Sequence, residues 1–346
     1  MGILRLYLAL SVAFAHSINY TGKTFLFDGL ASVKVFFLIS GFIITYVFSN
    51  KYKNSVIYFY KVRFLRIFLP FIIISIIIET SYFIWADYPR VLFILENNFS
   101  ILETILVFFS NIFLFGSDLV AIISSNNNSL LKEGLIIPQS WSLPLELYFY
   151  LLSPFIINKR FLRLILFFIS LILYLILFKI KKINYIDFSF FPNLFIFILG
   201  IFSCRLMFFL DLEKKFKLNL FINKYINSIF LIMLSVIFLI NFLNFEFDSS
   251  DRRNMVIYVF IISFLLPIFF CVSSNLQNNL KKIDIYSGHL SYYVYLTHVF
   301  VYLVLIKLNF YFLDTKILYF FTLLFFSFVC FIFIDPIEKK VRTYLK

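Results

Sequence analysis

The chain has 346 residues, of which 62% are hydrophobic and only 14% are charged. Soluble domains average about 45–50% apolar and about 25% charged residues, so this composition excludes a soluble globular protein and predicts an integral membrane protein. The formal net charge of +13 would suggest nucleic-acid binding in a soluble protein. Here the Lys and Arg residues cluster between apolar segments, which is typical of cytoplasmic loops, so we expect no nucleic-acid partner. Such loops can instead contact membrane lipids or an anionic cosubstrate.

Ten apolar segments approach the roughly 20 residues that a transmembrane helix needs. They are residues 3–18, 30–49, 67–85, 141–157, 161–178, 190–207, 225–244, 255–273, 289–306 and 317–335. Residues 99–115 are barely long enough and carry Glu103 and Asn111, so we predict an interfacial or re-entrant helix there. The predicted fold class is therefore all-α, a polytopic membrane protein of about ten transmembrane helices with one extra helix. No segment is polar enough to form a soluble domain, which predicts a single membrane domain over residues 1–346.

The basic residues predict the orientation. Five basic residues follow the second span: Lys51, Lys53, Lys61, Arg63 and Arg66. They place that region and the N-terminus in the cytoplasm. If residues 99–115 do not cross the membrane, most of the remaining basic residues and the C-terminus are cytoplasmic as well. Five basic residues oppose this topology because it leaves them outside: Lys179, Lys181, Lys182, Arg252 and Arg253.

The histidine at the end of the first apolar run has two interpretations. The residues "AFA" before His16 are typical of a signal-peptidase site, so the run could be a cleaved signal peptide. Alternatively, the run is a membrane helix, and an intramembrane histidine is a candidate for chemistry. A helix that starts near Gly2 in the cytoplasm carries His16 roughly 20 Å toward the outer side, at about 1.5 Å per residue.

Two further features have both a functional and a structural interpretation. Arg63 and Arg66 are spaced i,i+3, so their guanidinium groups share one helix face and suit the binding of phosphates. The alternative is an ordinary cytoplasmic anchor. Ser40 and Gly41 interrupt the second span, and small residues there indicate close helix packing as readily as a site.

A carboxylate lies in the span that follows "PQSWS". Glu146 is four residues after Ser142 and five after Trp141. An intramembrane carboxylate is costly unless it is paired or used, which favours a functional role. Tyr292 and His298 lie in the span 289–306, and this histidine is again a site candidate.

Together these residues suggest general-base chemistry on an anionic cosubstrate. A neutral imidazole can take a proton from a hydroxyl, and a carboxylate can orient it. The sequence contains no glycine-rich phosphate loop and no nucleophile-elbow motif. Its three cysteines, Cys204, Cys271 and Cys330, have neither metal-ligand spacing nor a paired pattern, so we expect no metal and no disulfide.

Seven stretches, in this order, resemble acyltransferase family 3, the polytopic membrane proteins that include bacterial O-acetyltransferases of surface polysaccharides. They are "LRLYLALSVAFAHS", "VFFLISGFIIT", "FYKVRFLRIFLP", "SWSLPLELYFYLLSP", "FPNLFIFILGIFSCRL", "LSYYVYLTH" and "DPIEKKVR". The signal-peptide interpretation then fails, because cleavage would remove a segment that the family retains.

The resemblance implies transfer of an acyl group, commonly acetyl, from cytoplasmic acyl-CoA to a hydroxyl of a surface glycan or its lipid-linked precursor. It implies that His16 is the general base, that Arg63 and Arg66 hold the phosphates of acetyl-CoA, and that Glu146 is a second catalytic residue. We expect substrate contacts from Ser40, Trp141, Ser142, Tyr292 and His298. The expected location is the bacterial inner membrane, with both termini cytoplasmic.

Two alternatives remain at this point. The chain could be a transporter or glycan-translocating protein whose intramembrane His and Glu line a pathway. It could also be an enzyme of the same kind whose acceptor is peptidoglycan or a small lipid.

Overall fold

The structure, a computed structural model, describes residues 1–18, 28–52, 55–85, 99–127, 130–218, 225–243, 252–308 and 315–344. Within these ranges the regular structure is entirely helical, which confirms the all-α prediction. The α-helices are α1 (Gly2–His16), α2 (Gly29–Val47), α3 (Val56–Trp85), α4 (Ile101–Phe113), α5 (Ser117–Asn127), α6 (Ser142–Asn158), α7 (Arg160–Lys179), α8 (Ile183–Phe188), α9 (Phe190–Phe209), α10 (Leu212–Leu218), α11 (Ile226–Leu243), α12 (Arg252–Ser274), α13 (Asn278–Lys307) and α14 (Thr315–Tyr344). A π-helical turn, Phe48–Tyr52, extends α2, and two 3₁₀ turns, Leu130–Gly134 and Pro138–Trp141, precede α6.

Each of the ten predicted spans coincides with an α-helix. Among the described residues, seven helices are long and apolar enough to cross a membrane: Gly29–Tyr52, Val56–Ile84, Arg160–Lys179, Phe190–Phe209, Met255–Ser274, Asn279–Lys307 and Thr315–Tyr344. The predicted spans 3–18 and 141–157 correspond to the shorter helices α1, of 15 residues, and α6, of 17 residues. Span 225–244 corresponds to α11, and its last residue lies outside the described part of the chain. The chain is therefore a multi-pass membrane protein.

The principal boundary errors are at the starts of α3 and α13. We predicted a span from residue 67, but α3 begins at Val56, and α13 begins eleven residues before the predicted 289. The predictions placed charged residues outside the spans. In the structure the helical hydrogen bonding continues through them, because an arginine or lysine is a good helix former and its long side chain can reach away from the apolar face.

The polar residues of the segment 99–115 have structural partners. The Ser100 hydroxyl accepts a hydrogen bond from the Glu103 backbone N–H, and the Glu103 carboxylate accepts from Ser100, which forms a capping box at the start of α4. The Asn111 side chain donates to the Gly134 carbonyl and accepts from the Ile136 backbone N–H, each at 2.9 Å. These contacts explain both polar residues without a catalytic role.

The chain divides into two compact units. The first comprises residues 1–46, 196–295 and 309–324. Its helices make unusually close contacts at glycines: α2 and α9 meet where Gly41 lies against the Phe197 backbone and Gly200 against the Leu38 carbonyl. The rings of Phe37 and Phe197 stack beside this crossing, with centroids 4.7 Å apart.

Polar contacts also join helices of the first unit. The Met1 ammonium group forms an ion pair with Asp284 at 2.7 Å, and the Ile3 N–H donates to the same carboxylate. The Tyr46 hydroxyl donates to Glu213 at 2.9 Å. These contacts connect the starts of α1 and α10 to residues distant in sequence.

The second unit comprises residues 47–195, 296–308 and 325–346. The Tyr60 hydroxyl of α3 donates to the Leu151 carbonyl of α6 at 2.9 Å. The Ser170 hydroxyl donates to the Phe191 carbonyl and accepts from the Phe195 N–H, each at 2.7 Å, which ties α7 to the start of α9. These bonds connect α3 with α6, and α7 with the start of α9.

Candidate active site

The two arginines of the sequence motif lie on α3 in the second unit. Arg63 is only 6% exposed, and Arg66 is half-buried. The guanidinium carbon of Arg63 lies 5.9 Å from the ring centroid of Phe59, one turn earlier on the same helix. The buried Nε of Arg63 has no hydrogen-bond partner within the described ranges. Sequence reasoning predicted the shared face of the two residues but not the burial of Arg63.

Tyr150 links the carboxylate to this arginine pair. Its hydroxyl donates to Glu146 Oε2 at 2.9 Å, and its ring is 9% exposed. Tyr150 also lies close enough to Arg63 and Arg66 to interact with both electrostatically. The structure therefore gathers Glu146 and the arginine pair around one buried phenol. Sequence reasoning missed Tyr150, although its position one turn after Glu146, on the same helix face, is a signal that could have found it.

The segment before α6 is anchored to the start of the second chain segment of this unit, residues 296–308. The Gln139 side-chain amide donates to the Leu296 carbonyl at 2.9 Å. His298, two residues further along α13, is fully buried. Trp141 is 5% exposed and packs edge-on against Phe188 with ring centroids 4.8 Å apart.

Ser142, the first residue of α6, is also buried. The structure thus brings two of the predicted substrate-binding segments, those that carry Trp141, Ser142 and His298, beside one another. Gln139 joins them, and the sequence analysis assigned it no role.

Three predicted residues lie in the first unit. His16 is the last residue of α1 and is exposed. Ser40 is half-buried on α2, next to the close helix contact at Gly41. This contact supports the packing interpretation of Gly41. Tyr292 is half-buried on α13, and its ring lies 6.3 Å from that of Tyr293.

A further buried carboxylate lies in the second unit, at the start of α5. Asp118 is 5% exposed, and the Tyr148 hydroxyl donates to it at 3.4 Å. Burial raises the pKa of the Asp118 carboxyl to about 6, and hydrogen bonds from nearby backbone N–H groups and from Tyr148 only partly oppose this effect. Neither residue was predicted, because Asp118 lies in a short polar helix with no motif around it.

One comparison with known proteins gives a match. The family model of acyltransferase family 3, described as an acyltransferase domain, matches residues 1–335. No curated protein and no solved structure gives a significant match to the chain. The match covers the first six motif segments in full, ends at Asp335, the first residue of the seventh, and includes residues of both units.

Proposed function

Because the chain belongs to acyltransferase family 3, we propose that this membrane acyltransferase moves an acyl group, with acetyl as the expected group, from cytoplasmic acyl-CoA. The acceptor is a hydroxyl of a surface glycan or of its lipid-linked precursor. The protein works in the bacterial inner membrane with both termini in the cytoplasm. Acyl-CoA is a cosubstrate, and no metal takes part in the proposed reaction.

The arginine pair on α3 is the observation that carries the donor assignment. Arg63 is buried with an Nε–H that has no acceptor in the described part of the chain, and Arg66 lies one turn away. Burying a guanidinium is costly unless an anion or hydrogen-bond acceptors compensate it. Phosphate oxygens are such acceptors, and they bind guanidinium groups bidentately. The nucleotide part of acyl-CoA supplies phosphates of this kind.

His16 is the proposed general base. As the acceptor hydroxyl oxygen forms a bond to the thioester carbonyl carbon, the imidazole takes the hydroxyl proton. The carbon–sulfur bond then breaks, and the thiolate of CoA receives that proton. The products are the ester and free CoA. An imidazole suits this role because its ordinary pKa of about 6.5 lets it accept and return a proton near neutral pH.

The other predicted residues support the two substrates. Glu146, held by Tyr150, is the proposed second catalytic residue. Its carboxylate can orient a polar hydrogen of the reacting groups, as carboxylates do for catalytic histidines. Substrate contacts come from Ser40, Trp141, Ser142, Tyr292 and His298. Their hydroxyl, indole and imidazole groups supply the hydrogen-bond donors that a sugar requires.

The test is acyl transfer by the purified protein from acetyl-CoA that carries an isotope-labelled acetyl group. His16→Ala is expected to lower the turnover rate by roughly 100-fold or more, the usual contribution of a general base. His289→Ala is the matched control, because it removes another of the three histidines, one to which no role in the site is assigned. Mass spectrometry of the surface polysaccharide from cells with each variant identifies the acceptor.

Two results would contradict the proposal. Full turnover by His16→Ala would remove the general-base role. The second result has two parts: the mass of the surface glycan does not change when the gene is deleted, and proteoliposomes show sugar flux without acyl turnover. This result would favour the transport alternative.

A further inference from the structure

The C-terminal turns of α14 carry a row of charged residues. Asp335, Glu338, Lys339 and Arg342 are spaced at i, i+3, i+4 and i+7, so all four lie on one face of the helix. Lys339 pairs with Asp335 at 2.6 Å, and Arg342 pairs with Glu338. The two carboxylates are buried, at 4% and 6% exposure. The carboxylates of this face are therefore enclosed by protein, whereas Lys339 is exposed and Arg342 is half-buried.

Arg342, the last residue of this row, brings a third guanidinium near the arginine pair of α3. Arg342 interacts electrostatically with both Arg63 and Arg66, and all three belong to the second unit. Tyr52, at the end of the π-helical turn, interacts with Arg63 and with Arg342. Arg342 lies 276 residues after Arg66 in the sequence. The fold nevertheless brings it close to Arg63 and Arg66.

This gathering of like charges needs compensation. Each arginine raises the energy of the other two, and partial burial strengthens that repulsion. Glu338 neutralises Arg342 in part. However, the buried Nε atoms of Arg63 and Arg342 both have no hydrogen-bond partner among the residues that the structure describes. Two N–H donors without acceptors, within a cluster of three cations, fit an anion with several oxygens.

We propose that Arg342 is a third phosphate-binding residue for the nucleotide part of acyl-CoA, beside Arg63 and Arg66. This inference rests on the proposed function, because the anion that it assigns to Arg342 is the phosphate of the proposed donor. Glu338 pairs with a terminal nitrogen of Arg342 and leaves the Nε–H, which has no partner in the described part of the chain, for the phosphate. When CoA binds, the phosphate oxygens accept from the Arg342 N–H groups.

The experiment is equilibrium binding of coenzyme A to the full-length purified protein in detergent. Arg342→Ala is expected to weaken binding by roughly ten- to a hundredfold, the loss that follows removal of one hydrogen bond to a charged group. Lys340→Ala is the matched control, since it removes an equal charge from an exposed position on the opposite side of the same helix. It should bind CoA as the wild type does. In turnover assays Arg342→Ala should raise the KM for acetyl-CoA while kcat at saturating donor is retained.

Glu338→Gln separates ligand binding from a purely structural role. This variant breaks the same ion pair but keeps the Arg342 charge. If Arg342 binds phosphate, Glu338→Gln retains CoA affinity and Arg342→Lys restores part of it. If Arg342 serves only the ion pair, Arg342→Ala and Glu338→Gln weaken binding equally, and the inference is overturned. Melting temperatures of all variants identify any that fail to fold, and Arg342→Lys then provides the binding comparison.

The outcomes also separate this inference from the proposed function. Wild-type protein that binds no CoA contradicts both. If Arg63→Ala loses CoA binding while Arg342→Ala and Lys340→Ala both bind CoA as the wild type does, the donor assignment is supported. Only the role of Arg342 is then overturned.

Discussion

The contact between α2 and α9 predicts a large effect from one methyl group. In Gly41→Ala, the added Cβ would overlap the Phe197 carbonyl oxygen and lie 2.9 Å from its carbonyl carbon. Backbone atoms cannot rotate away as a side chain can, so the two helices must separate. Their separation weakens the packing of Phe37 against Phe197. Overpacking of this kind costs typically about 1–3 kcal/mol.

The helix propensity of alanine offsets about 1 kcal/mol of that cost. Because the overlap is with backbone, we take the upper part of the range and expect a net loss of about 2 kcal/mol in the free energy of unfolding. The assay is unfolding by sodium dodecyl sulfate in mixed micelles, followed by circular dichroism. The second glycine of the crossing extends the test: in Gly200→Ala the Cβ would lie 2.7 Å from the Phe42 backbone nitrogen. The double variant should lose less than the sum of the single losses, because the first methyl already separates the helices.

The same substitution at Gly288 is the matched control. There the Cβ would lie 3.1 Å from Gly2 Cα, so a shift of a few tenths of an ångström accommodates it. Gly288→Ala is expected to change the unfolding free energy by less than about 1 kcal/mol, since the propensity gain offsets the mild crowding. Equal stability of Gly41→Ala and Gly288→Ala would refute the reasoning, since it would mean that α2 and α9 do not pack through their backbones.

Two further predictions concern the second unit. The pKa of the Asp118 carboxyl is raised from 3.8 to about 6 in the folded chain, so the folded state binds the proton more tightly than the unfolded state. Wild-type stability should therefore fall relative to Asp118→Asn as the pH rises from about 3 to 7, by roughly 3 kcal/mol. Melting curves of both proteins across this pH range test it, and a constant difference would contradict the raised pKa. Asn111→Leu should lower the unfolding free energy by about 1–3 kcal/mol, because the Gly134 carbonyl and the Ile136 N–H lose their partner. Unchanged melting would show that these backbone groups find other partners.

The sequence was informative where a signal is local. The length of the apolar segments located all ten predicted helices. A segment that crosses a membrane must pair its backbone N–H and C=O groups within its own helix. The i,i+3 spacing of Arg63 and Arg66 predicted their shared face. The order of motifs predicted the family, which the match over residues 1–335 confirms.

The sequence was less informative where a property depends on tertiary contacts. The burial of Arg63 depends on which elements pack against α3, and no local pattern specifies them. Arg342 lies 276 residues after Arg66, so only the fold makes them neighbours. The hydrogen bonds of Asn111 to residues 134 and 136 likewise depend on the fold, because no local pattern in residues 99–115 indicates them. The catalytic, donor-binding and substrate-binding roles of all nine predicted site residues stay predictions.

The hydrogen bond from Gln139 to the Leu296 carbonyl restricts the amino acid at position 139 more strongly than the one at position 296. The donor is a particular side chain, whereas the acceptor is a main-chain oxygen that any residue supplies. Mutational drift at position 296 is therefore limited only by the size of the apolar side chain there. Position 139 needs an amide of the right length, and a shorter Asn would not reach as far. In a saturation library that selects for activity, we expect position 139 to tolerate few amino acids and position 296 to accept many.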